Sequence, residues 1–220
     1  MYICRIKLLI NQTKRIMKKL LVIVAAILSF SVANAQVAYL GYQSVSGTAK
    51  TEAGNTTTKT TSSCSGFFAG GAMNFDIASG IGVQPGLELN FFSDKEGKNK
   101  LTSFGVKIPI DVNYGFEINP DIKISAFAGP SIYLGLSRKT KGEYYDPIQD
   151  KDVTTTVNFY DDDNDFSRFG LGFGLGAWCD FKDMIRLKIG YEIGLNDRET
   201  AADNYTYKEN VFSISVGYIF

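Results

Sequence analysis

The sequence predicts an all-β protein, an eight-stranded antiparallel up-and-down transmembrane β-barrel behind a cleaved N-terminal signal peptide. Three observations carry that expectation. Eight segments alternate apolar and polar residues with period two, the pattern of strands with two unlike faces. The connections between them are alternately short and long, as in barrels with short periplasmic turns and longer external loops. The last segment, Val211 to Phe220, ends on an aromatic residue. Its Phe212, Ile214, Val216, Tyr218 and Phe220 share one face, and Ser213, Ser215 and Gly217 the other. A closing strand with its aromatic end in an interfacial girdle accounts for that ending. A soluble terminus, where chains fray, does not.

The N-terminal stretch reads as an export signal. Met17-Lys18-Lys19 supplies a positive start, Leu20 to Phe30 an apolar run, and Ala33-Asn34-Ala35 a small-residue cleavage site. Eleven residues are too few to span a bilayer as a helix. Residues 1–35 are therefore expected to be a signal peptide, with Met17 the true start and residues 1–16 an upstream extension. Residues 36–220 are the barrel domain. The leader holds six of the 23 basic residues and none of the 23 acidic ones, which leaves 17 against 23 and a mature net charge of −6. That balance argues against nucleic-acid binding, which wants a basic face. Cys4 lies in the leader. Cys64 and Cys179 fall near opposite ends of the predicted barrel, too far apart for a disulfide, whose Cα atoms lie within roughly 7 Å.

The first segment is short, Val37 to Val45, with Ala38, Leu40 and Tyr42 outward. Ser46 to Ser63, rich in Thr, Gly and Ser, reads as a long mobile loop. The second segment, Gly66 to Ile77, sets Phe67, Ala69, Met73, Phe75 and Ile77 against Gly70, Ala72, Asn74 and Asp76. A turn at Ala78-Ser79-Gly80 leads to the third, Ile81 to Phe91, and Ser93 to Lys100 is a charged loop. The fourth alternates most cleanly, from Phe104 to Phe116, and turns at Asn119-Pro120. The fifth runs from Ile122 to Ser137, and the longest loop from Arg138 to Asp165. The sixth spans Phe169 to Phe181, with Gly170, Gly172, Gly174, Gly176 and Trp178 on one face. Lys182-Asp183 turns into the seventh, Ile185 to Leu195, and a loop from Asn196 to Glu209 reaches the eighth. Each span is expected to be about ten to thirteen residues, enough to cross tilted.

A soluble barrel would point the apolar face inward; a membrane barrel points it outward. The polar face decides. It is rich in Gly and Ser, which weaken an exposed strand but suit a narrow lumen. Aromatics at strand ends form two girdles, with Phe75, Tyr114, Phe116, Phe181, Tyr218 and Phe220 on the periplasmic side and Phe91, Phe104, Phe169 and Phe212 outside. Pro85, Pro109 and Pro130 oppose the reading, because each removes a ladder N–H mid-strand. Bulges or water-satisfied carbonyls are expected there.

Val83-Gln84-Pro85-Gly86-Leu87-Glu88, Val106-Lys107-Ile108-Pro109-Ile110, Ala128-Gly129-Pro130-Ser131 and the terminal Gly217-Tyr218-Ile219-Phe220 together resemble the PorT-like, porin-family outer-membrane β-barrel proteins of Bacteroidetes, over essentially all of residues 36–220. The resemblance implies a Gram-negative outer-membrane barrel, located in the cell outer membrane, with no catalytic residue. It implies tolerance of the three prolines.

The inward charges are nearly balanced, and Glu88, Lys107, Asp111, Lys123, Arg168, Arg186, Lys188 and Glu192 are expected to form a lumen charge network, since unpaired buried ions are costly. Enzymatic chemistry is disfavoured: barrels of this size that act on lipids or peptides generally use His as base, and this chain has no His. Asp161, Asp163 and Asp165 have the spacing of a calcium loop, but Phe166 stands where Gly belongs and Gly172 where a bidentate Glu belongs. They are a weak metal candidate against a solvated acidic loop, and no cofactor is expected. The Gly170 to Gly176 alternation is not a phosphate loop, because it lies inside a strand. It makes room in the lumen, where Trp178 can pack against it. The expected partners are outer-membrane lipid and lipopolysaccharide, and the barrel-assembly machinery through the strand ending at Phe220. The expected role is a non-enzymatic barrel whose external loops, including Tyr144, Tyr145 and Tyr160, serve surface structure or partner interaction. A narrow channel for small solutes is the alternative.

Overall fold

The apolar residues of this chain face outward and its polar residues face in. The computed structural model describes residues 36–53, 56–97, 99–146, 151–160, 166–199 and 205–220. The predicted signal peptide lies outside them. Ten strands follow in order: β1 (Val37–Ala53), β2 (Thr56–Ala72), β3 (Phe75–Ala78), β4 (Ile81–Glu96), β5 (Asn99–Asn119), β6 (Ile122–Asp146), β7 (Lys151–Asn158), β8 (Phe169–Phe181), β9 (Ile185–Gly194) and β10 (Tyr205–Ile219). Eight form a closed antiparallel ring, β1-β2-β4-β5-β6-β8-β9-β10. β3 continues β2 beyond a break, and β7 pairs with the outer part of β6. The ring closes where β10 pairs with β1, from Val37↔Ile219 to Thr51↔Tyr205.

β5 shows the inversion plainly. Phe104, Ile108, Ile110, Val112, Tyr114 and Phe116 are exposed, while Ser103, Asp111 and Asn113 are buried. Gln43, Asn90 and Ser125 are each only 1% exposed. An apolar surface that encircles the molecule is far larger than water tolerates on a monomer, and lipid is the solvent that fits it. Aromatics rim the band. Tyr42, Phe67, Phe91 and Phe104 lie side by side on β1, β2, β4 and β5 by register (Tyr42↔Phe67, Phe67↔Phe91, Phe91↔Phe104). Tyr114, Phe116, Phe181, Tyr218 and Phe220 are exposed at the opposite end.

Four predicted loops are wholly or partly strand instead. The Ser46–Ser63 stretch is a regular hairpin whose register runs unbroken to Ala53↔Thr56. Thr is β-branched and pairs well across strands, as in Thr48↔Thr61 and Thr51↔Thr58. The Ser93–Lys100 loop is paired to Glu96↔Asn99. β6 reaches 25 residues and pairs with β7, which lies in the predicted 138–165 loop. β10 begins at Tyr205, inside the predicted 196–209 loop. Polarity marked these stretches as loops, but a polar strand needs no apolar face once it has left the membrane.

The prolines interrupt pairing without shifting register. β4 pairs with β5 at Pro85↔Ile110 and resumes at Glu88↔Lys107 in the same register. β5 and β6 skip from Pro109↔Ser131 to Val112↔Ala128 likewise. The expected bulges are therefore absent there. Pro85 O accepts from Met73 N at 3.1 Å, so the missing proline N–H faces the same strand, and β2 breaks from β3 at that point. The register of β5–β6 shifts elsewhere, between Phe104 and Gly105 and between Glu117 and Asn119. The Phe181 to Ile185 turn places Lys182 (φ 51°) and Asp183 (φ 50°) in the left-handed region.

Candidate functional site: the barrel lumen

Alternation along each strand sends one polar residue in two into the lumen, where the strands stack them in layers. The periplasmic layer is built on Arg186 of β9. Its guanidinium grips Asp180 of β8 in a fork, Nε to Oδ1 at 2.6 Å and Nη2 to Oδ2 at 2.8 Å. Nη1 donates to Gln84 Oε1 at 3.2 Å, and the guanidinium lies 4.4 Å from the Trp178 ring centroid. Asp180 and Arg186 are buried, so the fork is what makes both charges tolerable. Phe127 stacks on Trp178 with centroids 5.3 Å apart. The ring over Gly176 is that of Phe127, rather than Trp178 directly.

The middle layer holds two lysines. Lys188 Nζ lies 2.7 Å from Asp111 Oδ2 and 4.1 Å from the Phe127 centroid. Lys107 Nζ sits 2.8 Å from Glu88 Oε2, an ion-pair contact off the line of a hydrogen bond, and 3.6 Å from Glu192 Oε2. Tyr39 donates its hydroxyl to Glu88 Oε1 at 3.1 Å.

The outer layer is centred on Glu209 of β10, which bridges two arginines. Arg138 Nη1 meets Oε1 at 2.6 Å, and Arg198 Nη1 meets Oε2 at 2.7 Å. Arg138 also donates to the Tyr207 hydroxyl at 3.3 Å, and Arg198 to the Tyr160 hydroxyl at 3.3 Å. Phe166 lies between them, 4.6 Å from the Arg138 guanidinium and 5.1 Å from that of Arg198. The chain around Phe166 is tied in by Ser167 N to Arg198 O at 2.7 Å and Gly135 N to Arg168 O at 2.7 Å. Tyr160, Phe166 and Arg198 are buried, so this layer fills part of the lumen at its outer end. Gly47 and Gly135 are the positions that admit Tyr207 and Tyr160; a Cβ at either would overlap the tyrosine ring or hydroxyl.

These outer groups stand beyond the apolar band. Burial pushes the Glu209 carboxyl up, but Arg138 and Arg198 outweigh it and hold it below the ordinary glutamate range. Burial, with Glu209 nearby, pushes the Tyr207 phenol up to about 12.

A cavity of ≈ 200 Å³ by the volume open to the centre of a water molecule lies beside the outer layer, against Arg138 and Tyr207. Between the layers lie two smaller cavities, ≈ 50 Å³ and ≈ 40 Å³ by the same measure, the first sharing Val45, Cys64, Leu101 and Arg138 with the large one. Each has room for about three or four waters. Lys107 and Glu192 line both. Gln43 Nε2 beside the outer of the two and Ser131 Oγ beside the inner one have no hydrogen-bond partner among the described residues, and each borders a space with room for water.

Of the eight residues expected in one network, Glu88, Lys107 and Glu192 share one cluster, Asp111 and Lys188 another, and Arg186 a third with Asp180. Two stand apart. Arg168 is exposed at the outer rim, where it donates to Tyr160 O at 2.8 Å and helps hold the closing segment. Lys123 is at the periplasmic end opposite Asp180 in register, and makes no ion pair among the described residues. Arg138, Arg198 and Glu209 fall in stretches whose polarity reads as loop. Glu209 was legible: continuing the inward face of β10 from Ser213 through Val211 reaches it. Arg138 was not, because the bulge beside Phe104 shifts the phase of β6 by one residue. Asp161, Asp163 and Asp165 lie outside the described residues, as do the side chains of Tyr144 and Tyr145. Among the described residues no group of three or more acidic or cysteine side chains could hold a metal. Cys64 and Cys179 are free.

Residues 22–220 match the model of the outer membrane protein β-barrel domain. No curated protein matches the sequence. Among solved structures, the fold is similar to the outer-membrane enzyme PagL, with 13% identity, 80% of this chain and 99% of that one covered, and a TM-score of 0.46. It is also similar to Ail, the attachment invasion locus protein of Yersinia pestis, in complex with the heparin analogue sucrose octasulfate: 12% identity, 83% and 99% covered, TM-score 0.38. Neisserial surface protein A is a third, with 14% identity, 83% and 97% covered, and a TM-score of 0.38.

Proposed function

The chain belongs to the outer membrane protein β-barrel domain family, and on that premise we propose that it is a non-catalytic, plugged barrel of the outer membrane that presents long external hairpins for surface structure or partner interaction. One observation carries the reading: the lumen is crossed by the Arg138–Glu209–Arg198 bridge around Phe166 and again by the Arg186–Asp180 fork over Trp178. Paired ions and rings at these two levels support the wall and narrow the lumen. Every carboxylate in the Arg186, Lys188, Lys107 and Glu209 clusters is engaged by a cation, and the chain has no His, so none of these lumen carboxylates stands free as a general base. β1 and β2 extend eleven residues beyond Tyr42 and Phe67, on the order of 35 Å along the strand. The length of these hairpins supports the reading that they carry the function. A PorT-like Bacteroidetes origin remains the resemblance of the Gln84-Pro85-Gly86 and Ile108-Pro109-Ile110 motifs.

The narrow-channel reading has one observation in its favour. The two smaller cavities share Lys107 and Glu192, whose contact is the longest ion pair in the lumen at 3.6 Å. Single-channel recording of the refolded chain in a planar bilayer separates the two. Heat-modifiable gel migration first confirms insertion. The plugged reading expects silence at all voltages. Steady openings from well-inserted protein overturn it in favour of the channel.

A further inference from the structure

The outward face above the upper aromatic row carries lysines without an ion-pair partner among the described residues. Lys95 of β4 stands directly opposite Lys100 of β5, and Lys100 directly opposite Lys141 of β6. Lys139, two residues from Lys141, stands opposite Thr102. Directly paired residues of antiparallel strands share a face. The same register pairs Phe91 with Phe104, so all four lysines stand on the outward face, above two girdle aromatics. All four are exposed, and none makes an ion pair among the described residues. Asp94, the nearest described carboxylate in sequence, has the opposite parity on β4 and lines the inner side with Arg138.

Like charges directly across a strand pair destabilise it, and here three stand in a row. Their height explains them. Lys139 is about two residues above the aromatic row, and Lys100 is four residues above Phe104, roughly 13 Å along a strand and near 10 Å vertically once tilted. A lysine stem reaches several ångströms and snorkels toward a charged layer. Ammonium groups at that level meet the headgroup phosphates just outside the acyl region.

We infer that Lys95, Lys100, Lys139 and Lys141 form a docking surface for the phosphates of an outer-leaflet glycolipid, a lipid A-type headgroup held against the wall of β4, β5 and β6. The hairpins supply a control. Lys50 and Lys59 are likewise paired across β1 and β2 and exposed, but Lys50 is eight residues above Tyr42, beyond reach of that layer.

The test uses the full mature chain in detergent, with fluorescent bis-phosphorylated lipid A as probe. Lys100→Gln/Lys141→Gln is compared with Lys50→Gln/Lys59→Gln, and heat-modifiable migration confirms that both fold. Each lysine near an anionic surface contributes about fivefold in affinity, so the Lys100/Lys141 pair is expected to lose more than tenfold and the Lys50/Lys59 pair under twofold. Dephosphorylated lipid A should bind wild type as weakly as bis-phosphorylated lipid A binds the Lys100/Lys141 variant. Free inorganic phosphate at equal concentration should not compete, which separates a headgroup site from a phosphate site. Equal affinity of the two variants, undiminished binding of dephosphorylated lipid A, or full competition by inorganic phosphate would each overturn the inference.

Discussion

Replacing Arg186 with Met removes the centre of the periplasmic layer and leaves Asp180 uncompensated. Asp180 is 5% exposed, and its two oxygens lose partners at 2.6 and 2.8 Å. Breaking one side of a buried ion pair costs about 3–5 kcal/mol, because the orphaned charge stays desolvated. Loss of the contact with Trp178, at 4.4 Å, adds about 1 kcal/mol. Arg186→Met should therefore destabilise by roughly 4–6 kcal/mol. The matched double variant, Asp180→Asn with Arg186→Met, removes both charges and should recover about 2–3 kcal/mol of that loss. The assay is equilibrium urea unfolding in lipid vesicles, followed by the fluorescence of Trp178, the chain's one tryptophan. The reasoning fails if Arg186→Met costs under 1 kcal/mol. It fails equally if the double variant is no more stable than the single one, since the cost would then be lost packing rather than an orphaned charge.

Three further predictions follow from the same geometry. Gly176→Ala should cost more than 1 kcal/mol, because the new Cβ meets the Ile189 carbonyl and the Phe127 ring, whereas Gly174→Ala, with nothing nearer than 3.8 Å, should be near neutral; thermal unfolding of the two variants checks the contrast. Val216 lies midway between Phe212 and Phe220 on the outward face, so Val216→Arg should lose about 2–4 kcal/mol in a bilayer, measured by the same urea titration. Glu209 has its folded pKa below its unfolded one, so the outer bridge is fully stabilising above the ordinary glutamate value of about 4.3 and weakens as pH falls through the lower folded value; proteolysis of the chain around Phe166 should stay slow at pH 6 and accelerate below about pH 4, and Glu209→Gln should remove that pH dependence.

Much of the barrel was legible because lipid enforces strict alternation. Phe104 to Phe116 could be placed outward from sequence alone, since no soluble arrangement exposes such a face. The inward lysines and carboxylates of β4, β5 and β9 followed from the same period. What failed was the region outside the membrane. There Thr48, Thr58 and Thr61 form strands with no apolar face to announce them, and polarity alone reads as loop. The outer layer was hidden for a second reason. Arg198 enters the lumen from a connection rather than a strand, and the bulge at Phe104 turns Arg138 inward against the simple period. By alternation alone the charge network reads as one piece, but the rings of Phe127 and Trp178 and the two smaller cavities divide it into layers.

The central claim, a lumen closed from outside, is tested most directly by thiol access. Ser131 is 3% exposed and lines the inner cavity below the outer layer. In a Cys64→Ser/Cys179→Ser background, Ser131→Cys is challenged from the outer side with a membrane-impermeant methanethiosulfonate. The account predicts negligible labelling over minutes, and rapid labelling once Glu209→Gln has released the outer bridge. Rapid labelling with Glu209 intact would contradict it.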